Sequence, residues 1–129
     1  MSSLSGILPS QAIKALQDSG VIKSDIPLVN GQIQPASLDL RLGRRVWRVR
    51  ASFLPGPERS VRERLERIAL HEIDLTRGAV LETGAVYIAE IVESLSLPHD
   101  LLAAANPKSS TGRLDVFTRV IADRAREFD

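Results

Sequence analysis

Along the chain, short apolar stretches alternate with turn signals, and the spacing of the apolar positions predicts which stretches are helix and which are strand. Ser10 reads as the N-cap of a short helix over Gln11-Ala12-Ile13-Lys14-Ala15-Leu16-Gln17-Asp18-Ser19-Gly20. Ile13, Leu16 and the alanines share its core face, and Gly20 is the C′ residue that ends it. The turn signals Ile26-Pro27 and Asn30-Gly31 follow. Ser37-Leu38-Asp39-Leu40-Arg41-Leu42 then alternates with period two, which sets Leu38, Leu40 and Leu42 on one face of a strand and Asp39 and Arg41 on the other.

The run from Arg44 to Arg50 places four arginines around Val46, Trp47 and Val49. It reads either as a basic strand beside a nucleotide or as a solvated edge strand whose charges discourage edge pairing; the second is expected, with Trp47 anchored in the core. Pro55-Gly56-Pro57 closes that run, and Ser60 with Glu63 forms a capping box that opens a helix through Leu70, with Val61, Leu65 and Ile68 on one stripe. Four short apolar segments come next, Glu72-Ile73-Asp74-Leu75, Ala79-Val80-Leu81, Tyr87 to Val92 and Leu101 to Ala105, separated by Gly78, Gly84 and Leu97-Pro98. That rhythm predicts a mainly β fold, a barrel or jelly roll.

Composition bounds the picture. A chain of 129 residues that is 43% apolar is expected to bury one core as one domain, residues 1–129. Its net charge of +1 creates no global field toward nucleic acid or a membrane surface, so an anion site has to be local. Cysteine is absent, and the two histidines, His71 and His99, are far apart and read as surface residues. No thiolate nucleophile or clustered zinc ligand set is therefore expected, and no metal site of the protein's own. The N-terminus has no basic segment followed by an apolar core, and no run is long enough to span a bilayer, which leads to the expectation of a cytoplasmic protein.

The candidate chemistry is concentrated in Asn106-Pro107-Lys108-Ser109-Ser110-Thr111-Gly112-Arg113. Two hydroxyls, backbone N–H groups near a glycine, a lysine and an arginine can cradle and neutralise a phosphate chain. Taken alone, such a cluster also describes many surface turns, and it lacks the P-loop pattern. It contains no carboxylate, histidine or thiol to serve as base or nucleophile.

Its neighbours say more. The stretches "HEIDL", "GAVYIAEIVESLSLPHDLLAAANPKSSTGRLDV" and "VIAD", with "IQPASLDLRLG" upstream, resemble the dCTP deaminase branch of the dUTPase-like superfamily. The resemblance implies a dUTPase-like β-barrel or jelly roll (β-clip) with an N-terminal helix and one further helix. It also implies zinc-independent hydrolytic deamination of dCTP to dUTP and ammonia in pyrimidine deoxynucleotide biosynthesis, by a homotrimer that shares active sites between subunits and binds dCTP, dUTP or dTTP with Mg2+ held through the triphosphate.

Carried onto this chain, the resemblance assigns Lys108, Ser109, Ser110 and Arg113 to the phosphate and catalytic turn, with Ser109 and Arg113 beside the reacting base. Ala122 takes the place of the alanine whose backbone helps hold the attacking water, and Arg124 that of an arginine after it. The glutamate base of the family falls beyond Asp129, and Glu127 comes too early to replace it. The chain is thus expected to be the front part of a longer enzyme, with its C-terminal strands missing and inactive alone.

Two departures stand out: Lys108 occupies a position where many members carry arginine, which turns a bidentate fork into a point charge, and Asp123 one where histidine is frequent. dUTP pyrophosphatase activity and a non-catalytic nucleotide-binding or trimerisation module stay open as alternatives. Asp39 is expected to be a structural hydrogen-bonding residue, since only the fold could bring it to the turn.

Overall fold

The computed structural model describes residues 5–123 and the backbone of Glu127–Phe128. In chain order the elements are α1 (Ser10–Asp18), β1 (Ile22–Ser24), β2 (Ile33–Gln34), β3 (Ser37–Leu38), β4 (Leu42–Val49), α2 (Val61–Ile68), β5 (Ala69–Asp74), β6 (Val86–Ile91), β7 (Glu93–Ser96), α3 (Ser109–Gly112) and β8 (Glu127–Phe128). All strand pairings are antiparallel, in sheets ordered β1-β7-β8, β2-β3 and β5-β4-β6. The fold is mainly β, as expected, but among the described residues these small sheets do not close into a barrel.

The local signals behave as their chemistry demands. Helix α1 starts one residue earlier than expected, with Pro9 rather than Ser10 at the cap. It ends where Gly20 takes φ +81°, with Gly20 N–H donating to Gln17 O and Val21 N–H to Leu16 O, which satisfies carbonyls that the helix end leaves open. Ile13 is buried and Leu16 half-buried, while Ala15 faces solvent. At α2 the capping box is complete, with Ser60 Oγ accepting from Glu63 N and Glu63 Oε2 accepting from Ser60 N. Leu65 is the buried residue of that helix, and the chain passes into β5 at Ala69.

Several expectations need correction. The alternating run at 37–42 is not one strand: it breaks at Asp39, because Gln32 grips that residue's backbone from both sides, O from N at 3.0 Å and Nε2 to O at 2.9 Å. The arginine-rich β4 is a central strand, flanked by β5 and β6, so its charges do not protect an edge. Two of them are paired instead, Arg45 with Glu90 and Arg48 with Glu82 in the loop before β6. Trp47 is half-buried rather than a core anchor; its Nε1 donates to Glu72 and the Arg45 guanidinium lies 5.1 Å from its ring centroid. Segments 79–81 and 101–105 form no strand.

Gly43 allows a close approach in β4. Between Leu42 and Val46 the register with β6 shifts, and Glu90 folds over the gap so that Oε1 accepts from both Arg44 N and Arg45 N, each at 3.1 Å. A Cβ on Gly43 would come within 2.5 Å of Glu90 Cγ, so a side chain there would displace the carboxylate.

The core is thinner than the composition promised: among the described residues the buried apolar side chains are Ile13, Ile22, Val46, Val49 and Leu65. Many other large apolar side chains lie outside along the chain, from Ile7 at 83% and Leu54 at 81% exposed to Leu102 at 94% and Phe117 at 81% beyond β7.

Candidate functional site

Much of the interior of this molecule is a polar knot. Glu93, at the start of β7, is 0% exposed, and its Oε1 accepts from Gln32 Nε2 and Arg41 Nε, both at 2.6 Å. Its Oε2 accepts from Arg41 N at 2.9 Å. Burial alone pushes this carboxyl up, but the Arg41 backbone N–H, the Arg41 guanidinium and Gln32 together outweigh it and hold the group below its ordinary value. The guanidinium spends its other donors on Ser24 Oγ, Ile26 O and Pro27 O. Arg41 is thus committed to holding the 24–27 loop against β7.

From this knot the structure leads to the predicted turn. Gln32, held by Glu93, fixes the backbone of Asp39, and the carboxylate of Asp39 accepts from Gln34 Nε2 at 3.1 Å and from the Lys108 ammonium. The carboxylate missing from the local sequence of the turn is brought to it from Asp39, far upstream. Nothing in the spacing of the two residues could have disclosed that contact.

Lys108 to Arg113 form a single helical turn. Thr111 N–H and Gly112 N–H both donate to Lys108 O at 2.9 Å, Arg113 N–H to Ser109 O at 3.0 Å, and Asp115, at φ +60°, ends the turn. Helical spacing puts Ser109 and Arg113 on one side of it, with Ser110 adjacent to Arg113 one row away. Lys108, Ser109, Ser110 and Arg113 are all exposed, and among the described residues neither serine hydroxyl nor the Arg113 guanidinium has a hydrogen-bond partner. The turn therefore presents two hydroxyls and a guanidinium whose donors are unspent, beside an ammonium held by one carboxylate. Such an array can take a polyanion with charge-assisted hydrogen bonds.

Ala122 is half-buried and has no hydrogen bond to the turn. Its neighbour Asp123 has a definite role: the carboxylate accepts from Val61 N, the first amide of α2, and so docks this stretch on the helix start. A cleft of about 250 Å³ opens alongside, lined by Ser52, Phe53, Leu54, Arg119, Val120 and Ile121. Arg124 lies outside the described residues. His71 and His99 are exposed, and among the described residues no three His, Cys, Asp or Glu side chains are gathered as a metal-binding group. No helix among them is long and apolar enough to cross a membrane.

Comparison with known proteins gives a consistent result. Residues 4–129 match the sequence model of the 2'-deoxycytidine 5'-triphosphate deaminase (DCD) N-terminal domain. A dCTP deaminase of Actinobacillus succinogenes is 34% identical over 114 residues, 83% of this chain and 59% of that protein. A protein of Streptomyces coelicolor named "dCTP deaminase, dUMP-forming" is 32% identical over 116 residues, 90% of this chain and 60% of that one. The crystal structure of 2'-deoxycytidine 5'-triphosphate deaminase from Agrobacterium tumefaciens superimposes with a TM-score of 0.88 at 60% identity, over 96% of this chain and 37% of that chain. The chain spans about three-fifths of the length of the first two relatives.

Proposed function

The chain belongs to the 2'-deoxycytidine 5'-triphosphate deaminase family, and on that premise we propose that it provides the triphosphate-holding part of an enzyme that hydrolyses the exocyclic amine of dCTP. The observation that carries this reading is the exposed helical turn in which Lys108, Ser109, Ser110 and Arg113 lie together with unspent donors. In the reaction, water oxygen adds to C4 of the cytosine, the C4–N4 bond breaks, and the amine leaves as ammonia with a proton from the water, giving dUTP. In this reading Lys108, Ser109, Ser110 and Arg113 receive the phosphates, with Ser109 and Arg113 also serving the reacting base; Arg124 is proposed as a further phosphate ligand, and the backbone of Ala122 helps hold the water. Mg2+ enters with the triphosphate as part of the substrate.

Among the turn's own residues there is still no base for the water, and Asp39 is already engaged with Lys108. The activating carboxylate is proposed to come from sequence beyond residue 129. The apolar side chains left exposed beyond β7, Leu102, Leu114 and Phe117 among them, support burial against further protein, and a homotrimer with shared sites fits that need. Cytoplasmic location remains part of the proposal.

The experiment is ammonia release from Mg2+-dCTP by the full-length protein, with Arg113→Ala as control. Release that the substitution abolishes supports deamination; no release by the parent protein refutes it. The name of the Streptomyces coelicolor relative favours one second reading, in which pyrophosphate is also lost. Product analysis separates the two, since dUTP alone fits simple deamination and dUMP with pyrophosphate the bifunctional course.

A further inference from the structure

We propose that Asp39 is a positioning residue of the phosphate turn: it holds the Lys108 ammonium at the place where a triphosphate is received. This inference rests on the reading of that turn as a triphosphate site.

Lysine ends in a point charge on a flexible four-carbon stem, and restraining such a side chain costs rotamer freedom. Lys108 is 58% exposed on its side chain, so solvent alone would leave the ammonium free to sample many positions. Asp39, at 31%, is the more enclosed partner and the more firmly held. Gln32 grips its backbone at N and at O, Gln34 fixes its carboxylate, and Gln32 in turn is fixed by the buried Glu93. The carboxylate is therefore in place whether or not a ligand is present.

The ion pair has a second property. Among the described residues, it is the one hydrogen bond or salt bridge that ties 106–113 to the rest of the molecule; the other bonds of the turn are internal to 108–116. Asp39 thus sets both the direction of Lys108 and the seating of the turn against the sheets. An ammonium has three donors, and the pair engages one, which leaves the others for phosphate oxygens. A carboxylate placed only to compete with phosphate would not need a scaffold running back to Glu93.

The test is calorimetric titration of the full-length protein with tripolyphosphate and with Mg2+-dCTP, for Asp39→Asn, Lys108→Met and the double variant. Lys108→Met is expected to weaken tripolyphosphate binding about tenfold, and Asp39→Asn about three- to fivefold. In the Lys108→Met background the Asp39→Asn substitution should have no further effect, a dependence that a merely structural role would not produce. In turnover, Asp39→Asn should raise KM for dCTP and leave kcat nearly unchanged, and Asp39→Glu should recover part of the affinity. If Asp39→Asn does not fold, Gln34→Ala loosens the carboxylate without removing its charge, and the same dependence on Lys108 is expected at smaller size.

Tighter binding by Asp39→Asn would show that the carboxylate competes with the ligand and would overturn the proposal. An equal loss with and without Lys108 would overturn it as well. If Lys108→Met and Arg113→Ala both bind tripolyphosphate like the parent, the phosphate reading of the turn itself has failed; if only Asp39→Asn is silent, that reading stands and this inference falls.

Discussion

The two partners of the Asp39–Lys108 ion pair come from regions built in opposite ways. On the Asp39 side, the residues around Glu93 bond mostly to one another, and the guanidinium of Arg41 makes four hydrogen bonds within the protein. On the Lys108 side, hydroxyls and a guanidinium stand in solvent with no partner among the described residues, on a segment, 101–117, that has no strand and exposes Leu102, Leu114 and Phe117. Both regions are rich in polar and charged groups, so composition does not separate them. Satisfaction does: the saturated region makes the fold, and the unsaturated one is left for a ligand or another protein surface.

The comparison breaks first at Glu93. Glu93→Ala should cost roughly 3–5 kcal/mol in denaturant unfolding, because Arg41, with 24% of its side chain exposed, stays behind without its buried carboxylate partner. A loss below about 1 kcal/mol, the size found for exposed pairs, would mean the knot is not what holds the sheets. The same carboxyl gives a pH signature. Its native value is lowered, so the unfolded chain binds the extra proton; the stability it contributes is present above about 4.5 and is lost as the pH falls below that toward the native value. Acid unfolding of Glu93→Gln should therefore depend less on pH in that window than unfolding of the parent.

Arg113→Ala probes the other region and should reverse the pattern. Nucleotide affinity should fall about tenfold or more, while the melting temperature of the ligand-free protein stays nearly unchanged, since the side chain has no partner to lose. A drop of several degrees without ligand would place Arg113 in the framework. Asp123→Ala falls between the two, removing a helix-start acceptor at a cost of about 1 kcal/mol. The smallest effect belongs to Ser110→Ala, about 0.5–1.5 kcal/mol in binding, and dCTP and dUTP should suffer alike because the contact is to phosphate. Calorimetry with both nucleotides checks the equality.

What could be read in advance was what is local. Ser60 and Glu63 find each other within one helical turn, Gly20 ends a helix by its own conformational freedom, and Lys108 to Arg113 are contiguous, so their chemistry is written in one line of sequence. Other features depend on tertiary placement. That Asp39 meets Lys108, that Asp123 reaches Val61, and that Glu93 disappears beneath Arg41 follow from how segments far apart in sequence are brought together, which alternation alone does not encode. Trp47 departs from the expected core position because a large ring with one donor suits a half-open site beside Glu72 and Arg45 as well as it suits a core.

The bond from Val61 N to Asp123 has a use outside energetics. The leading amides of a helix normally exchange their protons with solvent quickly, having no carbonyl of their own helix to hold them. In this chain the first amide of α2 is held by the residue next to Ala122. Its isotope-exchange rate is therefore a single-site clock for that distant segment: slow while residues 121–123 remain seated, fast whenever they lift away.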